Sequence, residues 1–227
     1  MIRCVFLLEH TGIGGGHYVV FEHAVRMKRR GNDIFIVTKK PVSKEDIQWH
    51  PEALELNWIT YDDAQSLRFD VAVATFWKTA RWLHRINASR YSFFVQSIES
   101  RFYHETEHNY RRYVGSVYLL PVHYITQAEW IKEYLQHNYG HLPYLVNNGI
   151  RKDLYTPAGE AYAVREEGHL RVLIEGPFEF YFKNIEKTIS LCRQAAVDEI
   201  WLLTSTNIKE YEGVDKVFSR VPITETP

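Results

Sequence analysis

Residues 4–38, CVFLLEHTGIGGGHYVVFEHAVRMKRRGNDIFIVT, decide the fold of this chain. An apolar run at 4–8 is too short for a helix and stops at the glycines of 12–16, which predicts a buried strand leading into a glycine loop. Apolar residues at helical spacing then predict a helix over 17–30, and a second apolar run at 34–38 predicts another strand. The order strand, helix, strand indicates a βαβ unit with parallel strands.

The same alternation continues to residue 150. We expect it to build one complete, doubly wound, Rossmann-like α/β domain over 1–150. Short apolar runs predict its further strands at 70–74, 91–95, 123–126 and 144–146, with helices at 79–86 and 127–139.

A second, shorter series follows a polar stretch at 151–168, which we interpret as an interdomain linker. Three strands and one helix leave one apolar face of a sheet uncovered. We therefore predict that 169–227 is part of a second Rossmann-like domain and that the chain is the front of a longer protein. The strands of this part are predicted at 170–174, 200–203 and 214–221, and the helix at 183–196.

The composition is that of a globular protein and argues against disorder and membrane spanning. The chain has 227 residues, of which 45% are hydrophobic and 24% charged, and it contains no apolar run near the roughly 20 residues of a membrane-spanning helix. Its net charge of −1 predicts no nucleic-acid partner. The start shows no signal-sequence pattern, and Cys4 and Cys192 lie in apolar segments, so we expect a cytoplasmic protein with buried core thiols.

The glycine loop at 12–16 is the first candidate site. Glycines between a strand and a helix let free backbone N–H groups approach a phosphate closely. A dinucleotide fingerprint is not matched, because its third glycine is replaced by His17 or Val19, and Lys39 and Lys40 stand where an acidic residue would bind the ribose. A tight turn that binds no ligand is the structural alternative.

Polar residues follow two further predicted strands. Gln96 and Glu99 come after the strand at 91–95, so we expect them to point at the same crevice as Gly14, Gly15 and Gly16. Solvated loop residues would give the same pattern.

A second cationic position follows the strand at 170–174. Lys183 stands at the start of a predicted helix, beside the turn Gly176-Pro177, where its ammonium and the helix N-terminus could both meet a diphosphate. Alone, this lysine would be interpreted as a surface charge.

The segment His104-Glu105-Thr106-Glu107-His108 matches the zinc motif H-E-x-x-H. Its neighbours are polar or aromatic and do not indicate a core helix, and a chain with 11 histidines matches the motif easily by chance. We therefore predict no metal site there.

These segments together resemble the retaining glycosyltransferases of family 4, which have the GT-B architecture of two Rossmann-like domains. The resemblance covers nearly the whole chain. Its segments are GIGGGHYVVFEHAVRMKRRGNDIFIVT at 12–38, FFVQSIESRFY at 93–103, YITQAEWIKEYL at 124–135, VNNGIRKDLYTP at 146–157 and VLIEGPFEFYFKNIEKTI at 172–189.

The resemblance implies transfer of a sugar from a nucleotide-diphosphate sugar to a glycan or lipid-linked acceptor, with retained anomeric configuration and without a metal or other cofactor. It places the catalytic residues at Gln96 and Glu99. It places the donor phosphate on the second unit's Gly176 and Lys183 as well as on the glycine loop, and the acceptor beside His17 and Tyr103. The donor-phosphate residues it implies are Gly14, Gly15, Gly16, Gly176 and Lys183.

The chain departs from that family at three places. Pro177 stands where an arginine is common and Gln96 where many members have a histidine. The family's E-x7-E segment, which grips the donor, would lie beyond Pro227. We accordingly expect the 227-residue form not to bind the donor normally and to be inactive.

Two other functions remain open at this stage. One is a non-catalytic carbohydrate-binding module of the same fold, and the other is a reductase that holds the 2′-phosphate of NADP with Lys39 and Lys40. A basic helix end at 26–30 also permits weak peripheral contact with an anionic membrane. An aromatic acceptor face is suggested by Trp77, Trp82, Tyr91, Phe102, Tyr103, Tyr110 and Tyr113.

Overall fold

The computed structural model describes residues 1–153, 155–156, 163–164 and 166–221, which belong to two compact units, Met1–Asn148 and Gly149–Pro227. The predicted linker at 151–168 falls partly on residues outside the described ranges, as does part of the family segment at 146–157. The domain boundaries and the linker therefore stay predictions.

The first unit is built on a seven-stranded sheet in which all neighbouring strands are parallel. The strand order is β3-β2-β1-β4-β5-β6-β7, so the direction of winding reverses between β1 and β4. The strands are β1 (Arg3–Leu7), β2 (Asp33–Thr38), β3 (Asn57–Thr60), β4 (Phe69–Ala74), β5 (Ala88–Val95), β6 (His123–Thr126) and β7 (Tyr144–Leu145).

Helices follow most of these strands, as a doubly wound sheet requires. Local sequence sets several of their ends: the Thr60 hydroxyl and the Asp63 carboxylate cap each other's backbone N–H at the start of α3, and Gly140, with φ of 71°, ends α6. The helices are α1 (Gly15–Arg29), α2 (Lys44–Ile47), α3 (Tyr61–Gln65), α4 (Trp77–Ala80), α5 (His108–Gly115) and α6 (Glu129–Tyr139). Short 3-10 helices occupy Pro51–Glu55, Leu83–Arg85, Glu99–Phe102 and Ser116–Leu119.

Each face of the sheet carries its own apolar core. On one face Cys4, Phe6 and Ile34 pack beneath Phe21 and Ala24 of α1. The opposite face packs against α4, α5 and α6. Cys4 is buried, as predicted, and burial raises the pKa of its thiol to about 12. Cys192, in the second unit, is only half-buried, so the expectation of a second core thiol is wrong.

Two elements differ from the sequence-based expectation. The helix predicted at 79–86 is split into α4 and a 3-10 turn. The buried apolar residues of this stretch, Trp77, Ala80, Leu83 and Ile86, recur every three positions, which is the 3-10 period. Strand β3 was not predicted, since its four residues are all half-buried and show no alternation.

The second unit contains a three-stranded parallel sheet in the order β10-β9-β8. Its strands are β8 (Arg171–Glu175), β9 (Glu199–Thr204) and β10 (Lys216–Ser219), with α7 (Ile185–Gln194) and a 3-10 turn at Tyr181–Lys183 between β8 and β9. Ile174, Ile185, Ile189, Ile200 and Leu202 form the buried core under α7. None of the helices within the described residues is long and apolar enough to cross a membrane.

Candidate functional site

The glycine loop forms the start of α1. The helix begins at Gly15, two residues earlier than predicted, and its first hydrogen bond runs from the Tyr18 N–H to the Gly14 carbonyl over 3.0 Å. The amides at 15–17 precede that bond and have no intrahelical acceptor. The loop is held from outside by the Trp49 indole, which donates to the Thr11 carbonyl over 2.9 Å. The amides without an intrahelical acceptor at the start of α1, which is the part of a helix that anions favour, therefore belong to an anchored loop.

The fold does not require glycine at positions 14 and 15. Neither residue has a positive φ, and φ at Gly14 is −178°, which any residue adopts. A Cβ atom at Gly15 would meet nothing within 4 Å, and one at Gly14 would lie 3.6 Å from the His17 Nδ1 atom, an ordinary contact. A tight turn therefore does not require glycine at either position, although the N-cap position of Gly14 favours it, and close approach of a ligand to the backbone would explain both.

Gln96 lies at this loop. Its Nε2 atom donates to the Gly16 carbonyl over 3.2 Å, and its Oε1 atom is buried with no hydrogen-bond partner among the described residues. A Cβ atom at Gly16 would lie 3.4 Å from Nε2, so the absence of a side chain there makes room for the amide. The catalytic role of Gln96 stays a prediction.

Two amides that the sequence analysis did not single out extend this contact along the sheet edge. The Gln127 Nε2 atom donates to the Gln96 carbonyl over 3.1 Å, and the Asn148 Nδ2 atom donates to Gln127 Oε1 over 2.7 Å. Gln127 follows the end of β6 and Asn148 that of β7, and this position after a strand is the one feature of the sequence that could have indicated a role at the sheet edge. The chain of amides ties the ends of β5, β6 and β7 to the glycine loop.

His17 is held as a neutral imidazole. Its Nδ1 atom lies 2.7 Å from the Gly12 carbonyl, and because a carbonyl only accepts, Nδ1 carries the hydrogen and Nε2 the lone pair. Burial, and secondly the neighbouring His10, lower the pKa of His17 to about 4. The predicted acceptor-side residue is therefore a hydrogen-bond acceptor at neutral pH.

Glu99 lies elsewhere. Its side chain is 3% exposed, its carboxylate accepts from the Trp77 N–H at the start of α4, and its own N–H donates to the Tyr118 hydroxyl over 3.0 Å. Burial raises the pKa of Glu99 well above its usual range, although the Trp77 N–H opposes the shift. The expectation that Glu99 points into an open crevice beside the glycines is wrong, because the chain turns into a 3-10 helix there and buries the carboxyl. Its catalytic role stays a prediction.

Tyr103 is joined to the same region through Trp77. The Trp77 indole donates to the Tyr103 hydroxyl over 3.1 Å, and burial is the main cause that raises the pKa of Tyr103 to about 12. Of the residues proposed as an aromatic face, Trp77 is core, whereas Tyr110 and Tyr113 are 40% and 49% exposed and stack on each other. The exposed part of that face is therefore small.

Two other sequence features do not form sites. The H-E-x-x-H segment is a turn, and α5 begins only at His108, so its two imidazoles do not share a helix face. The basic end of α1 is paired with acidic neighbours, Arg26 with Glu22 and Arg29 with Glu55. These pairs favour a solvated helix end over a membrane contact.

One group within the described residues has the composition of a metal site. The possible ligand atoms of Glu22, His50 and Glu52 lie within 4.8 Å of one another. The two ring nitrogens of the buried His50 face Glu22 at 3.2 Å and Glu52 at 3.7 Å. This group contains none of the predicted site residues.

In the second unit Gly176 and Lys183 are neighbours beside α7. Gly176 has φ of 148°, and a Cβ atom there would lie 2.8 Å from Ile185 Cδ1 and 3.5 Å from Lys183 Cβ. Here the fold itself requires glycine, unlike at Gly15. The Lys183 ammonium lies 3.9 Å from Glu175 Oε2, and both side chains are largely exposed. The helix begins at Ile185, so Lys183 precedes it instead of opening it.

No family model and no curated protein match the chain. Solved structures do. HepE from Anabaena, determined in complex with UDP and glucose, has a TM-score of 0.58 and 11% identity, over 89% of this chain and 61% of that one. Sucrose-phosphate synthase from Thermosynechococcus elongatus has a TM-score of 0.63 and 12% identity, over 98% of this chain and 71% of that one. This chain thus spans about three fifths of HepE. The likeness is one of fold, and it confirms the predicted GT-B-like α/β class.

Proposed function

We propose that the chain is part of a cytoplasmic glycosyltransferase that moves a sugar, with retention, from a nucleotide-diphosphate sugar to a glycan or lipid-linked acceptor. The observation that carries this proposal is the start of α1, where Gly14 and Gly15 are required neither by backbone conformation nor by packing. The fold, shared with a protein determined with UDP and glucose, supports the same class of ligand.

In this proposal each phosphate-binding group acts by electrostatics. The amides at the start of α1 and the positive end of its dipole approach the donor phosphate and the reacting sugar. Lys183, beside the N-terminus of α7, neutralises charge that grows on the leaving diphosphate. No step requires a metal ion.

Gln96 and His17 have different proposed hydrogen-bonding roles at the glycine loop. The amide of Gln96 carries no titratable proton, so its proposed role is to hold the sugar and the loop through hydrogen bonds. The proposed role of His17, which is neutral with its lone pair on Nε2, is to accept a hydrogen bond from a hydroxyl of the acceptor.

Binding of UDP, UDP-glucose, ADP-glucose, GDP-mannose and NADPH to the 227-residue chain, measured by thermal shift and calorimetry, tests the proposal. We expect at least one nucleotide sugar to bind weakly and raise the unfolding temperature, and Lys183→Gln to weaken that binding about 10-fold. Lys187→Gln, an exposed lysine on α7, is the matched control and leaves binding unchanged. Binding of NADPH alone would contradict the proposal, as would equal effects of the two substitutions.

A non-catalytic carbohydrate-binding module is the second candidate. Pro177 in place of a cation and the exposed stack of Tyr110 and Tyr113 favour it. Glycan binding that persists in Lys183→Gln, without binding of any nucleotide sugar to the unaltered chain, would select this alternative.

A further inference from the structure

Two lysines share one carboxylate at the carboxyl edge of the first sheet. Glu9 follows β1, Lys39 follows β2, and Lys78 lies in α4, which follows β4. The ammonium nitrogens of Lys78 and Lys39 lie 3.3 and 3.5 Å from the same atom, Glu9 Oε1. Two cations against one anion leave a net positive charge at this edge.

Both lysines are held in place. The Lys39 ammonium lies 3.8 Å from the centroid of the Trp82 ring, and that of Lys78 lies 5.7 Å from the Trp77 ring. Their side chains are nevertheless 49% and 40% exposed, so each ammonium keeps donors that face solvent. Side chains that are ordered before binding lose less entropy when a ligand arrives.

Buried polar atoms beneath the lysines have unused hydrogen-bonding capacity. The second carboxylate oxygen of Glu9 and the hydroxyl of Tyr61, a residue that is 6% exposed, have no hydrogen-bond partner among the described residues. The Tyr61 ring lies 5.2 Å from the Trp82 ring, centroid to centroid, and Lys39 lies on the same Trp82 ring. Such unsatisfied groups are few in folded proteins, and a bound ligand is one of the explanations for them.

The position in the sheet is also that of a ligand site. β1 lies between β2 and β4, and the winding reverses at this point. Ligands of open parallel sheets bind at the carboxyl ends of the strands at such a reversal. Lys39 and Lys78 stand on its two sides.

We propose that Lys39 and Lys78, the lysine pair, bind an anionic substituent, a phosphate or carboxylate, of the sugar acceptor. The assignment to the acceptor rests on the proposed function, in which the glycine amides and Lys183 serve the donor phosphates. Binding of an anionic sugar at the lysine pair does not depend on it. The oxygens of the substituent accept charge-assisted hydrogen bonds from both ammonium groups, while Glu9 and Trp82 keep the two groups together.

The test compares glucose, glucose 6-phosphate, glucuronate and inorganic phosphate as ligands of the full 227-residue chain, by calorimetry. We expect at least one of the two anionic sugars to bind about 10-fold or more tightly than glucose and than inorganic phosphate. The Lys39→Gln/Lys78→Gln double variant should reduce that advantage to about 2-fold or less. Lys132→Gln, which removes a lysine paired with a single exposed carboxylate on α6, is the control and leaves the advantage intact.

Ionic strength supplies a second measurement that does not require a variant. Raising the salt concentration should weaken binding of the anionic sugar and leave that of glucose unchanged. The proposal is overturned if neither anionic sugar binds more tightly than glucose, if inorganic phosphate binds as tightly, or if the double variant retains the advantage.

Two further ligands separate this proposal from the others. NADPH binding that exceeds that of the anionic sugars and is lost in the double variant would overturn it in favour of a cofactor phosphate site. UDP binding is expected to be unaffected by the double variant and weakened about 10-fold in Lys183→Gln. If UDP does not bind at all while the anionic sugars still bind through the lysine pair, the anion site stands and the glycosyltransferase assignment falls.

Discussion

Glycines at the two candidate phosphate sites are present for different physical reasons. Gly176 has a backbone conformation and a neighbour, Ile185, that exclude other residues, whereas the space around Gly15 is open. A glycine that the fold does not need costs helix stability, since glycine is the weakest helix former apart from proline. Gly15 is therefore the residue whose identity is best explained by a ligand.

Substitution of each glycine by alanine separates these reasons. Gly15→Ala should leave stability unchanged or raise it by up to about 1 kcal/mol, yet weaken binding of the nucleotide sugar. Gly176→Ala should lower the stability of the second unit by about 1–3 kcal/mol. Urea unfolding and calorimetry with UDP-glucose measure both effects. Unchanged ligand binding in Gly15→Ala would remove the main support for a phosphate site on α1.

The pH dependence of stability should report on His17. Its pKa is about 4 in the folded protein, against 6.5 for the ordinary side chain, so the unfolded chain binds more protons between these values. The contribution of His17 to the free energy of unfolding is complete above pH 6.5 and is lost as the pH falls toward 4. The test compares the unaltered chain with His17→Asn, whose amide keeps a donor for the Gly12 carbonyl. As the pH is lowered from 6.5 to 4, the unfolding temperature should fall less in the variant than in the unaltered chain. His137→Asn, at an exposed position of α6, is the control and should leave this fall in unfolding temperature unchanged.

The start of α4 depends on a buried carboxyl. Glu99 is placed by a 3-10 helix against the Trp77 N–H, in an environment that favours its protonated form. Because its folded pKa lies above the unfolded one, its contribution is present at low pH and is lost as the pH rises from the usual carboxyl range. A glutamine at position 99 would still offer an oxygen that accepts from the Trp77 N–H, and it would carry no charge at any pH.

Glu99→Gln should accordingly be more stable than the unaltered chain at pH 8, with the difference shrinking toward pH 4.5. Unfolding temperatures across that range measure it. Glu45→Gln, at an exposed position of α2, is the control for a general charge effect. A variant that is less stable than the unaltered chain at every pH would show that the carboxyl is ionised and needed for structure.

The elements that sequence could predict are those whose apolar pattern is regular. Strands β1, β2 and β4 were predicted because each is a short apolar run that is mostly buried, and β5 because its last four residues are buried. Helix α1 was predicted because it follows the glycine loop. The predicted start of α7 at residue 183 was wrong. Lys183 ends a 3-10 turn, and Asn184, with φ of 52°, separates that turn from the α-helix.

The same limit applies to the site. Gln96 was found because it directly follows a strand, and a strand end has a fixed place at the sheet edge. Glu99, three residues further, depends on the turn that the loop takes, which no periodicity encodes. Glu9 and Lys78 were missed for a related reason: their pairing joins residues that only the sheet brings together.

The two units differ in how much apolar structure protects them. Four of the five residues of β1 are buried, whereas only one of the five in β8 is. Hydrogen exchange measured by mass spectrometry should therefore find the slowest amides in β1, β4 and β5, and faster exchange in β8 and β10. Equal protection of both sheets would show that the second unit is covered by apolar contacts that its own described residues do not supply.

The parallel arrangement of the first sheet also has a consequence for how the chain folds. Cys4 of β1 pairs with Ile34 of β2 and with Val71 of β4, so the central strand gains its second neighbour only after a long loop has closed. Within the described residues, the first sheet contains no hairpin that could form early from residues close in sequence. Its paired residues lie far apart along the chain, and such a high contact order slows folding. During synthesis, β1 must wait on the ribosome until β4 has emerged, with its apolar face exposed to chaperones and to other nascent chains.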